Sequence, residues 1–136
     1  MQPSILIVED HDIVRRSLRD WLSVSFRDYR VIEAKTAEEG IALTRTAAPA
    51  LVLMDIGLPQ MNGIDATREI KRAAPAIPVV VLSIHESPQY QTDALSAGAN
   101  AYVCKRKLYD ELFSVLARLL NDDSSKTLSA ASSAGN

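Results

Sequence analysis

The chain has 136 residues and a mass of 14.9 kDa, which is the usual size of one domain and too short for two independent cores. Hydrophobic residues make up 47% and charged residues 24% of the sequence, so the composition excludes a wholly disordered or fibrous chain. Its 15 basic and 17 acidic residues give a net charge of −2, and the basic residues form no long run, which argues against direct nucleic-acid binding.

Short apolar runs rich in β-branched residues alternate with longer amphipathic segments from Ser4 to Asn121. This alternation predicts an α/β fold. Several runs are apolar throughout, as expected for parallel strands that helices cover on both faces. The predicted strands are Ile5–Val8, Tyr29–Glu33, Leu51–Met54, Val79–Leu82 and Ala101–Cys104.

The first predicted helix follows the first strand. Its apolar residues recur at spacings of three and four, which predicts one stripe facing the sheet, with Arg15 and the other charged residues elsewhere. The members of this stripe are Ile13, Val14, Leu18, Trp21 and Leu22.

Capping signals bound two of the later helices. Thr36 to Glu39 forms a capping box that starts the second helix. Ser87-Pro88 starts the fourth helix, and Gly98 is suited to the left-handed conformation that ends it. An apolar stripe from Leu112 to Leu120 predicts a final helix that docks on the sheet beside the first.

The chain changes character after Leu120. Residues 121–136 are rich in serine and alanine, and Leu128 is their one large apolar side chain. Such a segment buries too little surface to offset the entropy of ordering. We therefore predict one domain over residues 1–120, followed by a flexible linker or tail over residues 121–136.

The cysteine content and the apolar runs indicate the compartment. Cys104 is the single cysteine, so the chain cannot form an internal disulfide, and no secretory signal pattern precedes the first strand. Apolar runs such as Ile5–Val8 are far shorter than the roughly 20 residues of a membrane-spanning helix. We expect a cytoplasmic protein without a membrane span.

Polar residues follow four of the predicted strands. They are Glu9 and Asp10, then Asp55, Ser83 and Lys105. The carboxyl ends of parallel strands meet at one edge of a sheet, where ligands bind. Three carboxylates there repel one another unless a hard divalent cation such as Mg²⁺ or Mn²⁺ compensates their charge. Lys105 and Ser83 would lie on the opposite side of the same pocket from the carboxylates. Together these five residues predict a metal-assisted phosphoryl-transfer site in which a carboxylate is the nucleophile.

Four segments resemble the receiver domain of bacterial two-component response regulators. They are ILIVED at 5–10, LVLMDIGLPQMNG at 51–63, VVVLS at 79–83 and the stretch from Ala97 to Lys105. Their joint spacing is specific, although each piece alone is weak. The resemblance covers about residues 4–120 and implies a flavodoxin-like fold, with a five-stranded parallel sheet in the order 2-1-3-4-5 and five flanking helices.

The resemblance also implies the chemistry of the site. Asp55 would accept a phosphoryl group from a phosphohistidine on a sensor histidine kinase. Asp10, Asp55 and the backbone carbonyl of Gly57 would bind Mg²⁺ directly, and Glu9 would act largely through water. Ser83 and Lys105 would hold the phosphoryl oxygens.

The same resemblance implies a signalling switch. Ser83 would move towards the phosphate and Tyr102 would turn inward, which reshapes the surface of the fourth helix, fifth strand and fifth helix. The pattern after Lys105, with Arg106 in place of the common proline, resembles the class with a LuxR/NarL-type DNA-binding output domain. That domain is not in this chain, so DNA would be contacted only through it, and phosphorylation could promote a homodimer.

Three other functions compete with this interpretation. Ile84 stands where receivers usually have a small residue, so the chain could be a phosphorylation-independent interaction module of the same fold. A haloacid-dehalogenase phosphatase would need a second aspartate at the position of Gly57, and Glu9 to Asp12 would repel a flavin phosphate. We therefore expect a signalling module that slowly loses its phosphoryl group, not a turnover enzyme; the role of His85 stays open.

Overall fold

A computed structural model describes the backbone of residues 2–132 and the side chains of residues 2–121. Strands and helices alternate along this part of the chain, and a short 3-10 turn over Lys105–Lys107 precedes the last helix. The strands are β1 (Ser4–Val8), β2 (Arg30–Ala34), β3 (Leu51–Asp55), β4 (Val79–Ser83) and β5 (Ala101–Cys104). The helices are α1 (Asp12–Ser25), α2 (Ala37–Ala47), α3 (Gly63–Ala73), α4 (Pro88–Ser96) and α5 (Leu108–Ser132).

The five strands form one parallel sheet in the order β2-β1-β3-β4-β5. The predicted fold class and strand order are thus confirmed. The register pairs Val8 with Met54 and Asp55 with Leu82, so the neighbouring strands end level with one another. Both β3 and β4 extend one residue further than predicted, because Asp55 and Ser83 stay in the ladder despite their polar side chains. β2 begins and ends one residue later than predicted.

Helices cover both faces of the sheet, and each face has its own apolar core. Alternate residues of β1 point to opposite sides, so Leu6 packs among the residues of α2, α3 and α4, while Ile7 packs against α1 and α5. Leu18 of α1 and Leu112 of α5 belong to the same cluster. The predicted docking of the last helix beside the first is confirmed.

The capping signals act largely as predicted. The Thr36 hydroxyl accepts a hydrogen bond from the Glu39 N–H at 3.1 Å. The Glu39 carboxylate accepts from the N–H of Lys35, one residue earlier than a standard capping box requires. Gly98 has a φ of +106°, which confirms the left-handed conformation predicted after α4.

Two residues of α1 differ from the predicted stripe. Ile13 is 83% exposed, whereas Arg15 is buried. Ile13 lies five residues before Leu18, which places it about 140° away around the helix axis and off the face that meets the sheet. Arg15 is buried because it finds polar partners at the end of β1, which are described with the site.

The last helix runs beyond the predicted end of the domain. Leu120 is still buried, and α5 continues to Ser132. The division at residue 120 stays a prediction, and residues 133–136 lie outside the described part of the chain. Among the described residues, no helix combines the length and the apolar character needed to span a membrane.

Gly63 allows α3 to begin close to β3. Its N–H donates to the Ile56 carbonyl at 3.0 Å, and a Cβ at this position would overlap the backbone oxygen of Asp55. We predict that Gly63→Ala lowers the free energy of unfolding by about 2 kcal/mol, because the backbone must shift. Urea denaturation measures the change.

Gly57→Ala is the matched control. The nearest atom to a Cβ there is Asp55 Oδ2 at 3.9 Å, an ordinary contact, so the stability should stay within about 0.5 kcal/mol of the wild type. A Gly63→Ala protein as stable as this control would refute the steric explanation.

Candidate functional site

The ends of four neighbouring strands bring polar side chains together. Glu9 follows β1, Asp55 ends β3, Ser83 ends β4 and Lys105 follows β5. Because these strands are parallel and adjacent, their carboxyl ends share one edge of the sheet. Glu9 and Asp55 are buried there, and Asp10 is partly exposed beside them.

Lys105 links two buried carboxylates. Its Nζ lies 2.7 Å from Glu9 Oε1 and 2.9 Å from Asp55 Oδ1. Burial opposes the charge of Lys105, but its hydrogen bonds to Glu9 and Asp55 outweigh burial and raise its pKa. Burial raises the pKa of Glu9 against the opposing hydrogen bond from Lys105, and the nearby charge of Asp55 adds to the rise.

Asp10 and His11 complete an acidic cluster. His11 Nδ1 lies 3.2 Å from Glu9 Oε2 and 3.3 Å from Asp10 Oδ1. Ligand atoms of Glu9, Asp10, His11 and Asp55 all lie within 4.8 Å of one another. The hydrogen bond to Glu9, with the charge of Asp10, raises the pKa of His11. Asp10 Oδ1 is buried and accepts no hydrogen bond from the described residues.

Arg15 holds the loop that carries the acids. Its Nη1 donates to the backbone oxygen of Glu9 at 3.1 Å, Nε donates to Glu33 at 3.1 Å, and Nη2 donates to Asp12 at 2.6 Å. The hydrogen bond to Asp12 contributes most to a raised pKa of Arg15. This buried guanidinium therefore ties the end of β1 to β2 and to the first turn of α1.

Ser83 and Tyr102 both bind the loop between β4 and α4. The Ser83 hydroxyl is fully buried and accepts from the His85 N–H at 3.0 Å. The Tyr102 hydroxyl donates to the His85 carbonyl at 2.7 Å. Ile84, which lies between Ser83 and His85 in the sequence, is 66% exposed. A single loop residue therefore joins the end of β4 to β5.

The structure brings the predicted acids and the predicted lysine together and adds two residues. Glu9, Asp10, Asp55 and Lys105 form one cluster, and exposed Gly57 lies within reach of Asp55 in the following loop. Ser83 connects to Tyr102 through His85.

The sequence analysis did not select His11 or Arg15 as site residues. His11 directly follows Asp10 and Arg15 lies five residues after it, and this closeness to the acids was the signal that the sequence offered.

Comparison with known proteins identifies the family. Residues 5–117 match the family model of the response regulator receiver domain, so the chain belongs to that family. It is 33% identical over 108 residues to the transcriptional regulatory protein DegU of Brevibacillus brevis, covering 79% of this chain and 46% of DegU. It is 31% identical over 114 residues to the response regulator UvrY of Escherichia coli K12, and the match covers 83% of this chain and 52% of UvrY.

A solved structure is similar throughout the domain. The two-component response regulator of the LuxR family from an Aurantimonas species has 33% sequence identity and a TM-score of 0.81, with 90% of this chain and 87% of that chain covered. The resemblance to LuxR/NarL-type receivers is confirmed. This chain spans about half the length of the curated relatives it matches.

Arg15 provides a test of how the acidic loop is held. We predict that Arg15→Met lowers the free energy of unfolding by about 2 kcal/mol, because it removes the donor to the buried Glu9 carbonyl and the closer of the two arginine partners of Glu33. Arg19→Met is the control: that side chain is 42% exposed and reaches Glu33 only at 3.7 Å, so we expect a loss below about 0.5 kcal/mol. Equal losses in urea denaturation would show that Arg15 is no more than a surface arginine.

Proposed function

We propose that Asp55 is the phosphoacceptor of this receiver domain and that a phosphohistidine of a sensor histidine kinase is the donor. The observation that carries the proposal is the position of Lys105 Nζ, 2.9 Å from Asp55 Oδ1 and 2.7 Å from Glu9 Oε1. A buried carboxylate in contact with a fixed cation suits a reaction that brings negative charge to the site.

The transfer itself needs one nucleophilic oxygen. Lys105 binds Oδ1 of Asp55, so we assign the attack to Oδ2. The Oδ2–P bond forms as the P–N bond to the donor imidazole breaks, and the imidazole leaves with the electron pair of that bond and takes up a proton. The product is an aspartyl phosphate. The domain accepts one group and loses it slowly, so we do not assign it the role of a turnover enzyme.

The acidic cluster fits Mg²⁺. Apart from the imidazole nitrogen of His11, its donors are carboxylate oxygens, the ligands that Mg²⁺ prefers, and the buried Oδ1 of Asp10 accepts no hydrogen bond from the described residues. Asp10, Asp55 and the Gly57 carbonyl would hold the ion directly. Glu9 would act through water because both of its oxygens already have partners, Lys105 on Oε1 and His11 on Oε2. When bound, the ion neutralises the charge that builds up on the phosphoryl oxygens.

Ser83 and Lys105 would hold the phosphoryl oxygens after transfer. The Ser83 oxygen accepts from His85, which leaves its own proton free to donate to a phosphoryl oxygen. If Ser83 moves to make that bond, the His85 N–H loses its acceptor, and the Tyr102 hydroxyl is bound to the same residue. This chain of contacts supports Tyr102 as the switch residue and the surface of α4, β5 and α5 as the output.

The partners follow from the family. DegU is by name a transcriptional regulatory protein, and this chain matches about half of its length. We propose that the receiver controls a DNA-binding output domain outside this chain, that it works in the cytoplasm with its kinase, and that phosphorylation promotes a homodimer.

Intact-mass measurement tests the phosphoacceptor. With Mg²⁺ and acetyl phosphate, we expect the wild-type chain to gain about 80 Da, the mass of one phosphoryl group replacing a proton. Asp55→Asn removes the nucleophile and should show no gain. Asp20→Asn makes the same change on the exposed face of α1 and should react like the wild type.

Failure of the wild-type chain to gain this mass, even with its cognate kinase, would overturn the proposal. The phosphorylation-independent module would then be the better explanation. It predicts the same partner affinity with and without the phosphate mimic beryllofluoride. We expect beryllofluoride to change that affinity, because Ser83 would respond to it and is joined to Tyr102 through His85.

Metal titration tests the proposed ligands. We expect Asp10→Asn to weaken Mg²⁺ binding at least tenfold, a loss of about 1.4 kcal/mol, because a neutral amide replaces one charged ligand. Calorimetry with Mg²⁺, repeated with Mn²⁺ by electron paramagnetic resonance, gives the affinity. Asp20→Asn should leave the affinity unchanged, and an unchanged affinity in Asp10→Asn would remove Asp10 from the ligand set.

A further inference from the structure

His11 joins the acidic cluster through one ring nitrogen. Its Nδ1 lies 3.2 Å from Glu9 Oε2 and 3.3 Å from Asp10 Oδ1, although the side chain as a whole is 66% exposed. His11 is also the N-cap residue of α1, yet its side chain accepts no hydrogen bond from that helix. The imidazole is therefore turned towards the acids and not towards the helix that follows it.

The distances around Nδ1 are those expected between neighbouring ligands of one metal ion. Nitrogen and oxygen ligands of a first-row transition ion lie about 2.1 Å from it, so two neighbours are about 3.0 Å apart at right angles and about 3.4 Å apart in a tetrahedron. Both distances from Nδ1 to the carboxylates lie between these values. The nitrogen is therefore placed where it can bind the same ion as Asp10.

A metal ion can replace the hydrogen bond between the ring and Glu9. Imidazole binds a metal through a nitrogen without a proton, so Nδ1 would no longer donate to Glu9 Oε2. The backbone N–H of His11 donates to the same oxygen at 3.2 Å, and Lys105 binds the other oxygen. Glu9 therefore keeps a partner on each oxygen when the ring binds an ion.

We propose that His11 determines which divalent ions this site prefers, because its Nδ1 binds first-row transition ions such as Ni²⁺, Co²⁺ and Zn²⁺. Imidazole suits these ions, whereas Mg²⁺ prefers oxygen ligands and gains little from a nitrogen. The carboxylates hold Mg²⁺ without His11 and a transition ion with it. Carboxylates by themselves also bind Ni²⁺ more tightly than Mg²⁺, and His11 adds the part of this preference that a variant can remove.

This inference rests on the metal site of the proposed function, but the two can fail separately. If the metal site itself is wrong, the wild-type chain binds no Mg²⁺, and both proposals fall. If only the role of His11 is wrong, the wild-type chain still binds Mg²⁺ and gains the mass of a phosphoryl group, while loss of the imidazole leaves the Ni²⁺ affinity unchanged.

Calorimetry with Ni²⁺ and with Mg²⁺ tests the selectivity on the 136-residue chain, with all proteins at the same pH. His11→Phe keeps a ring at this position and removes its nitrogens. We expect this variant to bind Ni²⁺ about tenfold more weakly than the wild type, and Mg²⁺ within about twofold of it.

His85→Phe is the matched control, because the chain has two histidines. His85 lies on the loop after β4, outside the acidic cluster, and its ring packs 5.1 Å from that of Tyr90, a contact that phenylalanine can keep. This variant should keep the wild-type affinity for both ions.

Proton NMR of the Co²⁺-loaded chain identifies the nitrogen ligand directly. The ring N–H of an imidazole bound to Co²⁺ resonates far outside the normal range, so the wild type and His85→Phe should show this signal and His11→Phe should lack it. Circular dichroism checks that each variant is folded. Equal losses of Ni²⁺ and Mg²⁺ affinity in His11→Phe, an unchanged Ni²⁺ affinity, or a shifted signal that persists without His11 would each overturn the proposal.

Discussion

The site depends on the ion pairs of one lysine. Glu9 and Asp55 come from different strands and are buried side by side, an arrangement that repulsion and desolvation oppose. Lys105 contacts both carboxylates and keeps their charges together. Because Lys105 follows β5, its amine connects the carboxyl ends of β1, β3 and β5. A change in the charge of Asp55 therefore changes which position of the Lys105 amine has the lowest energy.

A second connection leads from the site to the surface. Ser83 and Tyr102 hold opposite polar groups of His85, the one its N–H and the other its carbonyl. A shift of Ser83 therefore changes the loop that Tyr102 contacts. Arg15 fixes the end of β1, because its guanidinium donates to the Glu9 carbonyl and so holds the acidic loop in place.

The sequence predicted the fold and most of the candidate site. The apolar runs predicted the parallel sheet, since only strands covered on both faces have such composition. Asp55 and Lys105 could be selected because polar residues directly after these runs must lie at one edge. His11 could not be selected, since its imidazole reaches Glu9 and Asp10 only through the local turn of the chain.

Local pattern alone determined where the helices and strands lie, because caps, spacing and apolar runs act over a few residues. It did not determine the environment of Arg15, which was expected among the charged residues off the stripe. Arg15 is buried because Glu9, Asp12 and Glu33 meet around it. The tertiary structure decided this burial, because Glu33 belongs to β2 and comes close to Arg15 only when β2 pairs with β1.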